Sequence, residues 1–172
     1  LKAGDPREGK TPLGAIVNAE AARHIQELVD DAVSKGASVP AGGKGEGLLM
    51  DSTIVDCCTP EMRIYGEESF GPVTTIVRAK DEEDAIRIAN DTEYGLAAAV
   101  FSKDVARAIK VAKRIQSGIC HINSSTVADE AQMPFGGVKA SGIGRFGGKA
   151  GIAEFTDLRW ITIETDHAHY PI

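Results

Sequence analysis

Apolar residues recur every three or four positions between Asn18 and Gly36, where Ala22, Ile25, Leu28, Val29 and Ala32 form one stripe. That spacing predicts an amphipathic helix with Asn18 as its N-cap and Gly36 just past its end. The period returns after Asp81, with Ala85, Ile88 and Ala89 expected inward and Glu82, Glu83 and Asp84 favouring the helix N-terminus. A third helix is expected to start near Ser102, to carry Val105, Ala108, Ile109, Ala112 and Ile115, and to close at Gly118. Short apolar runs at 52–56, 73–79, 96–101 and 119–122 read as strands.

Strand and helix alternate, and the helices are long enough to cross over, so an α/β fold with a parallel or mostly parallel sheet is expected. Several strand runs are apolar throughout, as strands covered on both faces should be. Residues 42–47 read as a glycine-rich turn between short strands. Residues 123–149 form a long Gly-, Ser- and Ala-rich segment without a period, a length that usually signals function. Residues 158–165 read as a final strand, with Ile161 and Ile163 on one face and Trp160 and Thr162 on the other. That strand has no obvious partner in the chain and suits the sheet edge of a neighbour, unless it pairs at home.

A chain of 172 residues supports a domain with a real core. The formal charge of −6, with acids and bases intermixed, argues against nucleic acid or an anionic membrane as partner. No apolar run approaches the roughly 20 residues a membrane span needs. No signal peptide is expected at the start, and leucine at position 1 suggests a fragment or a processed chain. Three cysteines cannot all pair, which favours a reducing cytoplasm.

The richest local pattern is Glu67-Glu68-Ser69-Phe70-Gly71-Pro72-Val73. In extended backbone Glu68 and Phe70 leave on the same face. A carboxylate beside a ring suits a ligand with a sugar hydroxyl pair next to a flat heteroaromatic, because one carboxylate can accept from both hydroxyls. The alternative is a turn with a hydrophobic plug.

Other constellations carry less. Cys120 precedes His121, but neighbours on a strand point to opposite faces, so Cys120 reads as a small buried hydrophobe. Cys57 and Cys58 precede the turn Thr59-Pro60 with no base nearby, so no cysteine is assigned a catalytic role. Residues 142–147 match G-x-G-x-x-G, but no strand leads into those glycines, which argues against a stand-alone dinucleotide-binding domain. His167 and His169 lack companions that would complete a metal site and read as a flexible tail, and His24 reads as exposed.

Together with Gly4-Asp5-Pro6 and Thr59-Pro60-Glu61-Met62-Arg63, three runs stand in order: EESFGPV, NDTEYGLAAAV from Asn90 and MPFGGVKASGIGR from Met133. In that order they resemble the closing part of NAD(P)-dependent aldehyde dehydrogenases over nearly the whole chain. The loop NSSTVADEAQ, the run AQMPFGGVKASGIGRFGG and the RWITI tail look most like vanillin and salicylaldehyde dehydrogenases.

The resemblance implies an aldehyde-dehydrogenase-type catalytic domain over 1–142, a crossover helix segment over 143–157 and an oligomerisation strand and tail over 158–172. It implies NAD or NADP as cofactor with no metal, a small aldehyde of aromatic type as substrate, and a homodimer or homotetramer. Glu68 matches the acid that holds the nicotinamide ribose hydroxyls, Phe70 the ring near the nicotinamide, and Leu96 a residue bordering it. Ser69 departs from the commoner apolar residue. Phe135 matches an aromatic at the inner end of the substrate tunnel, and Val127 and Asp129 are the residues expected to line its entrance. The family's nucleophilic cysteine and base glutamate match positions before Leu1, which leaves a non-enzymatic association module as the alternative.

Overall fold

A computed structural model describes residues 1–166 as two compact units, Leu1–Glu93 and the chain from Tyr94 onward. In the first unit, helix α1 (Ala19–Ser34) starts at Asn18, whose side chain accepts from the amide of Ala21. Its stripe of Ile25, Leu28, Val29 and Ala32 is buried, as the periodicity predicts. His24 is half-buried rather than exposed, because it lies next to the stripe residue Ile25 and flanks the buried face.

Beside α1 stands a three-stranded sheet of β1 (Ser38–Ala41), β4 (Thr53–Asp56) and β5 (Val73–Ile76), ordered β1-β4-β5. β4 pairs antiparallel with β1 and parallel with β5, from Thr53 opposite Val73 to Asp56 opposite Ile76. The glycine-rich stretch 42–47 lies between β1 and β3 (Leu49–Met50) but is not a turn throughout, because its Gly45–Glu46 forms a short strand, β2, that pairs antiparallel with β3. Leu28, Val29 and Ala32 meet Val55, Cys58, Met62 and Ile64 in one apolar core. At about 25 cal/mol per Å2 of apolar surface removed from water, such clusters are the main stabilising contribution.

The single-turn helix α2 (Arg63–Gly66) was not expected. Helix α3 (Glu82–Asn90) is capped by Asp81, which accepts from the amide of Asp84. Here the expected inward face is corrected: Ile86 is buried and Ile88 half-buried, while Ala85 and Ala89 are exposed. Four apolar residues at 85, 86, 88 and 89 span too wide an arc for spacing to select the face, and the bulky Ile86 takes the buried place.

In the second unit, β6 (Ala97–Val100) and β7 (Ile119–Ile122) pair in parallel, and helix α4 (Val105–Ala112) connects them and packs on both. The third helix therefore begins later than expected, because Asp104 supplies the N-cap, accepting from the amide of Arg107. It also ends earlier: Ile115 and Gly118 lie beyond it. Every residue of β6 and β7 is half-buried, so neither face is fully covered within the chain. Helix α5 (Gly148–Glu154) falls within the expected crossover segment.

Residues 158–164 form no ladder among the described residues. Leu158, Trp160, Ile161 and Ile163 are 72–103% exposed, and among the described residues they have no strand partner at home. Without a partner edge, backbone hydrogen bonding alone does not make a strand. Among the described residues no helix is long and apolar enough to cross a membrane.

Candidate functional site

In the first unit, one loop carries the acid pair and the ring. It leaves α2 at Glu67, whose amide donates to the carbonyl of Arg63 at 2.9 Å, and it enters β5 through Gly71-Pro72. The carbonyl of Pro72 accepts from the amide of Thr53, which fixes the loop's exit beside the start of β4. Gly71 is required by packing: a Cβ there would lie 2.4 Å from Cδ1 of the buried Ile25. The entrance is fixed too. Met62 provides no side-chain cap for α2, and the carboxylate of Asp31 on α1 takes the amide of Arg63 instead. Lys35 bridges the same carboxylate and also donates to the carbonyl of Glu61 at 2.7 Å.

The two neighbouring acids have different surroundings. Glu67 receives both arms of the Arg63 guanidinium, Nε to Oε1 at 2.8 Å and Nη2 to Oε2 at 3.0 Å. This fork holds the Glu67 carboxyl below the usual carboxylate range. Glu68 is exposed, and among the described residues its carboxylate has no hydrogen-bond or ion-pair partner. Phe70 is 86% exposed, whereas Ser69 between them is half-buried.

The expectation of extended backbone through this loop is corrected at Phe70, whose φ is 47°. The left-handed region is strained for a residue with a bulky side chain, and the alternating-face rule for extended chain does not reach through it. The ring is presented to solvent from this bend instead.

In the second unit, Leu96 is 40% exposed and stands just before β6, its carbonyl accepting from the amide of Ile119. Gly95 beside it is buried, with its carbonyl accepting from the amides of Gly118 and Val138 and its amide donating to the Ser141 hydroxyl. Backbone lies on backbone here: a Cβ on Gly118 would stand 1.8 Å from the carbonyl oxygen of Gly136. The run from Met133 to Arg145 is thus folded against the two parallel strands. Phe135 and Phe146 exchange backbone hydrogen bonds at 2.9 and 2.7 Å, and Arg145 donates to the carbonyls of Gly137 and Gly144.

This arrangement holds open a cavity of about 530 Å3 lined by residues including Cys120, His121, Asp129, Met133 and Phe135. Asp129 and Phe135, six residues apart in the loop, are brought together on its wall. Val127 is 85% exposed and Leu96 is also absent from that wall. Burial pushes the Cys120 thiol above its usual value, as it does Cys58. Cys57 is exposed at the turn that ends β4.

The glycines at 142–147 follow a 3-10 turn, Lys139–Ser141, so no strand leads into them and no pyrophosphate-binding strand-turn-helix forms. His167 and His169 lie outside the described residues. Among the described residues no three His, Cys, Asp or Glu side chains gather into a metal-binding group.

Two residues to which the sequence reading gave no role shape these loops. Arg63 is one. The other is Asn123, at φ 56°, whose side-chain Oδ1 accepts from the Ser102 backbone amide at 2.8 Å and whose Nδ2 donates to the Ser102 carbonyl at 2.9 Å, tying the ends of β6 and β7. The tolerance of asparagine for the left-handed region was the available signal.

Comparison with known proteins places this geometry. The chain is 54% identical over its full length to the vanillin dehydrogenase of Pseudomonas sp. (strain HR199 / DSM 7063), of which it spans 36%. It superposes with a TM-score of 0.84 and 49% identity on the crystal structure of a salicylaldehyde dehydrogenase from Pseudomonas putida G7 complexed with salicylaldehyde, over 92% of this chain and 33% of that one. An aldehyde dehydrogenase of Mycobacterium tuberculosis complexed with NAD+ gives a TM-score of 0.87 at 32% identity, over 98% of this chain and 36% of that one. The chain therefore spans about a third of the length of these relatives. Residues 1–161 match the aldehyde dehydrogenase family, and the chain belongs to it.

Proposed function

We propose that the chain is the closing portion of an NAD(P)+-dependent aldehyde dehydrogenase that oxidises an aromatic aldehyde to its carboxylic acid. The observation that carries this reading is the unequal treatment of two adjacent acids beside a presented ring: Arg63 occupies Glu67 and leaves Glu68 unpartnered among the described residues. An unpaired carboxylate next to an exposed ring fits a nicotinamide riboside, with Glu68 accepting from the ribose hydroxyls and Phe70 packing near the flat heterocycle. The strained backbone at Phe70 supports a binding role, since strain of this kind gathers at ligand clamps. The family resemblance, taken by itself, adds Leu96 as a residue bordering the nicotinamide. The nicotinamide, when bound, accepts hydride from the substrate carbon.

Asp129 and Phe135 line the aldehyde's approach, with Val127 as the third substrate contact. A cavity whose apolar lining is edged by an aromatic ring and joined by a few polar groups suits an aromatic aldehyde, and the similarity to vanillin and salicylaldehyde dehydrogenases supports that class. The thiolate that attacks the carbonyl and the glutamate that activates water to hydrolyse the thioester belong to the longer protein. None of Cys57, Cys58 and Cys120 is given that role. Residues 1–142 serve the catalytic domain, 143–157 the crossover and 158–172 subunit association in a cytoplasmic homodimer or homotetramer.

The test is kinetic, on the full-length protein with vanillin, salicylaldehyde and benzaldehyde. Glu68→Gln is expected to raise KM for the dinucleotide by about tenfold, the loss of a charge-assisted contact. An unchanged KM would overturn the assignment of Glu68, and turnover by residues 1–172 alone would overturn the placement of the nucleophile.

A further inference from the structure

The acid pair raises a question of selection. Glu67 and Glu68 are neighbours of the same type in the same loop, and a ribose diol needs only one carboxylate. Left unpaired together, they would place two negative charges where an anionic dinucleotide must dock. Two such charges repel the incoming phosphates.

We propose that Arg63 is a positioning residue for cofactor binding: by taking both oxygens of Glu67 it removes that acid from competition and leaves Glu68 as the single acceptor. This rests on the reading of Glu68 as the ribose ligand. Three features support it. Arg63 is the first residue of α2 and Glu67 its C-cap, so the pair spans one helical turn at i,i+4 spacing. The fork is bidentate, which fixes the plane of the Glu67 carboxylate as a single contact would not. The backbone of Arg63 is itself anchored, its amide donating to Asp31 at 2.9 Å.

The pair is a weak candidate for a purely stabilising device. Its side chains are 40% and 44% exposed, and exposed ion pairs contribute little to folding. Glu27 also approaches the guanidinium, at 4.0 Å from Nη1, so Arg63 sits among acids and still engages Glu67 with both arms. The effect is local neutralisation. Of the two acids, the one paired is the one nearer α2, and the one left unpaired is nearer Phe70.

The test uses the full-length enzyme with Arg63→Met, Glu67→Gln, the double variant and Glu68→Gln, reading KM for NAD+ and NADP+, kcat and thermal midpoint. Arg63→Met is expected to raise the dinucleotide KM by about three- to tenfold with kcat within about twofold. Glu67→Gln alone is expected to leave KM within about twofold, and adding it to Arg63→Met is expected to restore the wild-type KM, because the competing charge is gone. A merely structural Arg63 would not be rescued by removing its own partner. Arg63→Lys, which keeps the charge and loses the fork, covers the case in which the methionine variant fails to fold, with an intermediate KM expected.

A wild-type KM in both Arg63 variants, or no rescue in the double variant, overturns the proposal. If Glu68→Gln raises KM while Arg63→Met does not, the ribose reading stands and only the role of Arg63 falls. If Glu68→Gln has no effect, the ribose reading falls and takes this inference with it.

Discussion

Asp31 caps a helix to which it does not belong: its Oδ2 accepts a hydrogen bond from the amide of Arg63, 2.9 Å away and 32 residues along the chain. Lys35 and that amide together hold the Asp31 carboxyl below the ordinary carboxylate range. A carboxylate depressed in the folded state contributes stability above its unfolded value, near 3.9, and the contribution is lost as pH falls through and below that range. Asp31→Ala is therefore expected to lower Tm at neutral pH, with the difference from the parent protein shrinking as pH falls below about 4. Circular-dichroism melts across that range check it, and a difference that stays constant at all pH would refute the charge-dependent cap.

Two glycines near the candidate site should respond oppositely to alanine. Gly71→Ala drives a methyl group into Ile25 and is expected to cost about 1–3 kcal/mol, the usual penalty for overpacking. Gly66, inside α2, has open space around its Cβ position, so Gly66→Ala is expected to be neutral or stabilising by up to about 1 kcal/mol. Urea unfolding of the two variants compares them directly.

Thiol labelling should separate the three cysteines. Cys57 is exposed, while burial pushes the Cys58 and Cys120 thiols up and so lowers their thiolate fractions. Brief iodoacetamide treatment of the native protein near pH 8 is expected to modify Cys57 first, as peptide mass spectrometry would show. Equal labelling of all three would contradict the observed burial.

Phe135 and Asp129 share one cavity wall, and Val127 stands outside it. Phe135→Ala in the full-length enzyme is expected to raise KM for an aromatic aldehyde by about tenfold with little change in KM for the dinucleotide. Val127→Ala is expected to change the aldehyde KM less than Phe135→Ala does. Steady-state kinetics with both substrates varied distinguishes these outcomes.

Helix α1 was legible from sequence because a single narrow stripe lies between an asparagine cap and a terminal glycine. Helix α3 was legible as a helix but not in its orientation, since its four apolar residues give spacing no clear preference. Helix α2 was invisible because one turn is shorter than any period. Its cap was invisible too, since Asp31 is brought to Arg63 only by tertiary folding. The acid-and-ring pattern stood out through its unusual residue types, but no local rule assigns a phenylalanine to positive φ. The Arg63–Glu67 pairing was present as a four-residue spacing of opposite charges, a signal that gains meaning only when a helix joins them. The 158–165 strand was read from alternation, which describes a surface able to pair and not the presence of an edge to pair with.

The backbone at Phe70 has a consequence for how this protein responds to selection. Glycine would occupy φ 47° with less strain, by about 1–2 kcal/mol. Replacing Phe70 with glycine would therefore relieve the loop while deleting the ring it presents. A library screened for heat resistance alone would drift toward that loss, and one screened for turnover would resist it. The residue found at position 70 in an evolved variant thus records which of the two pressures prevailed.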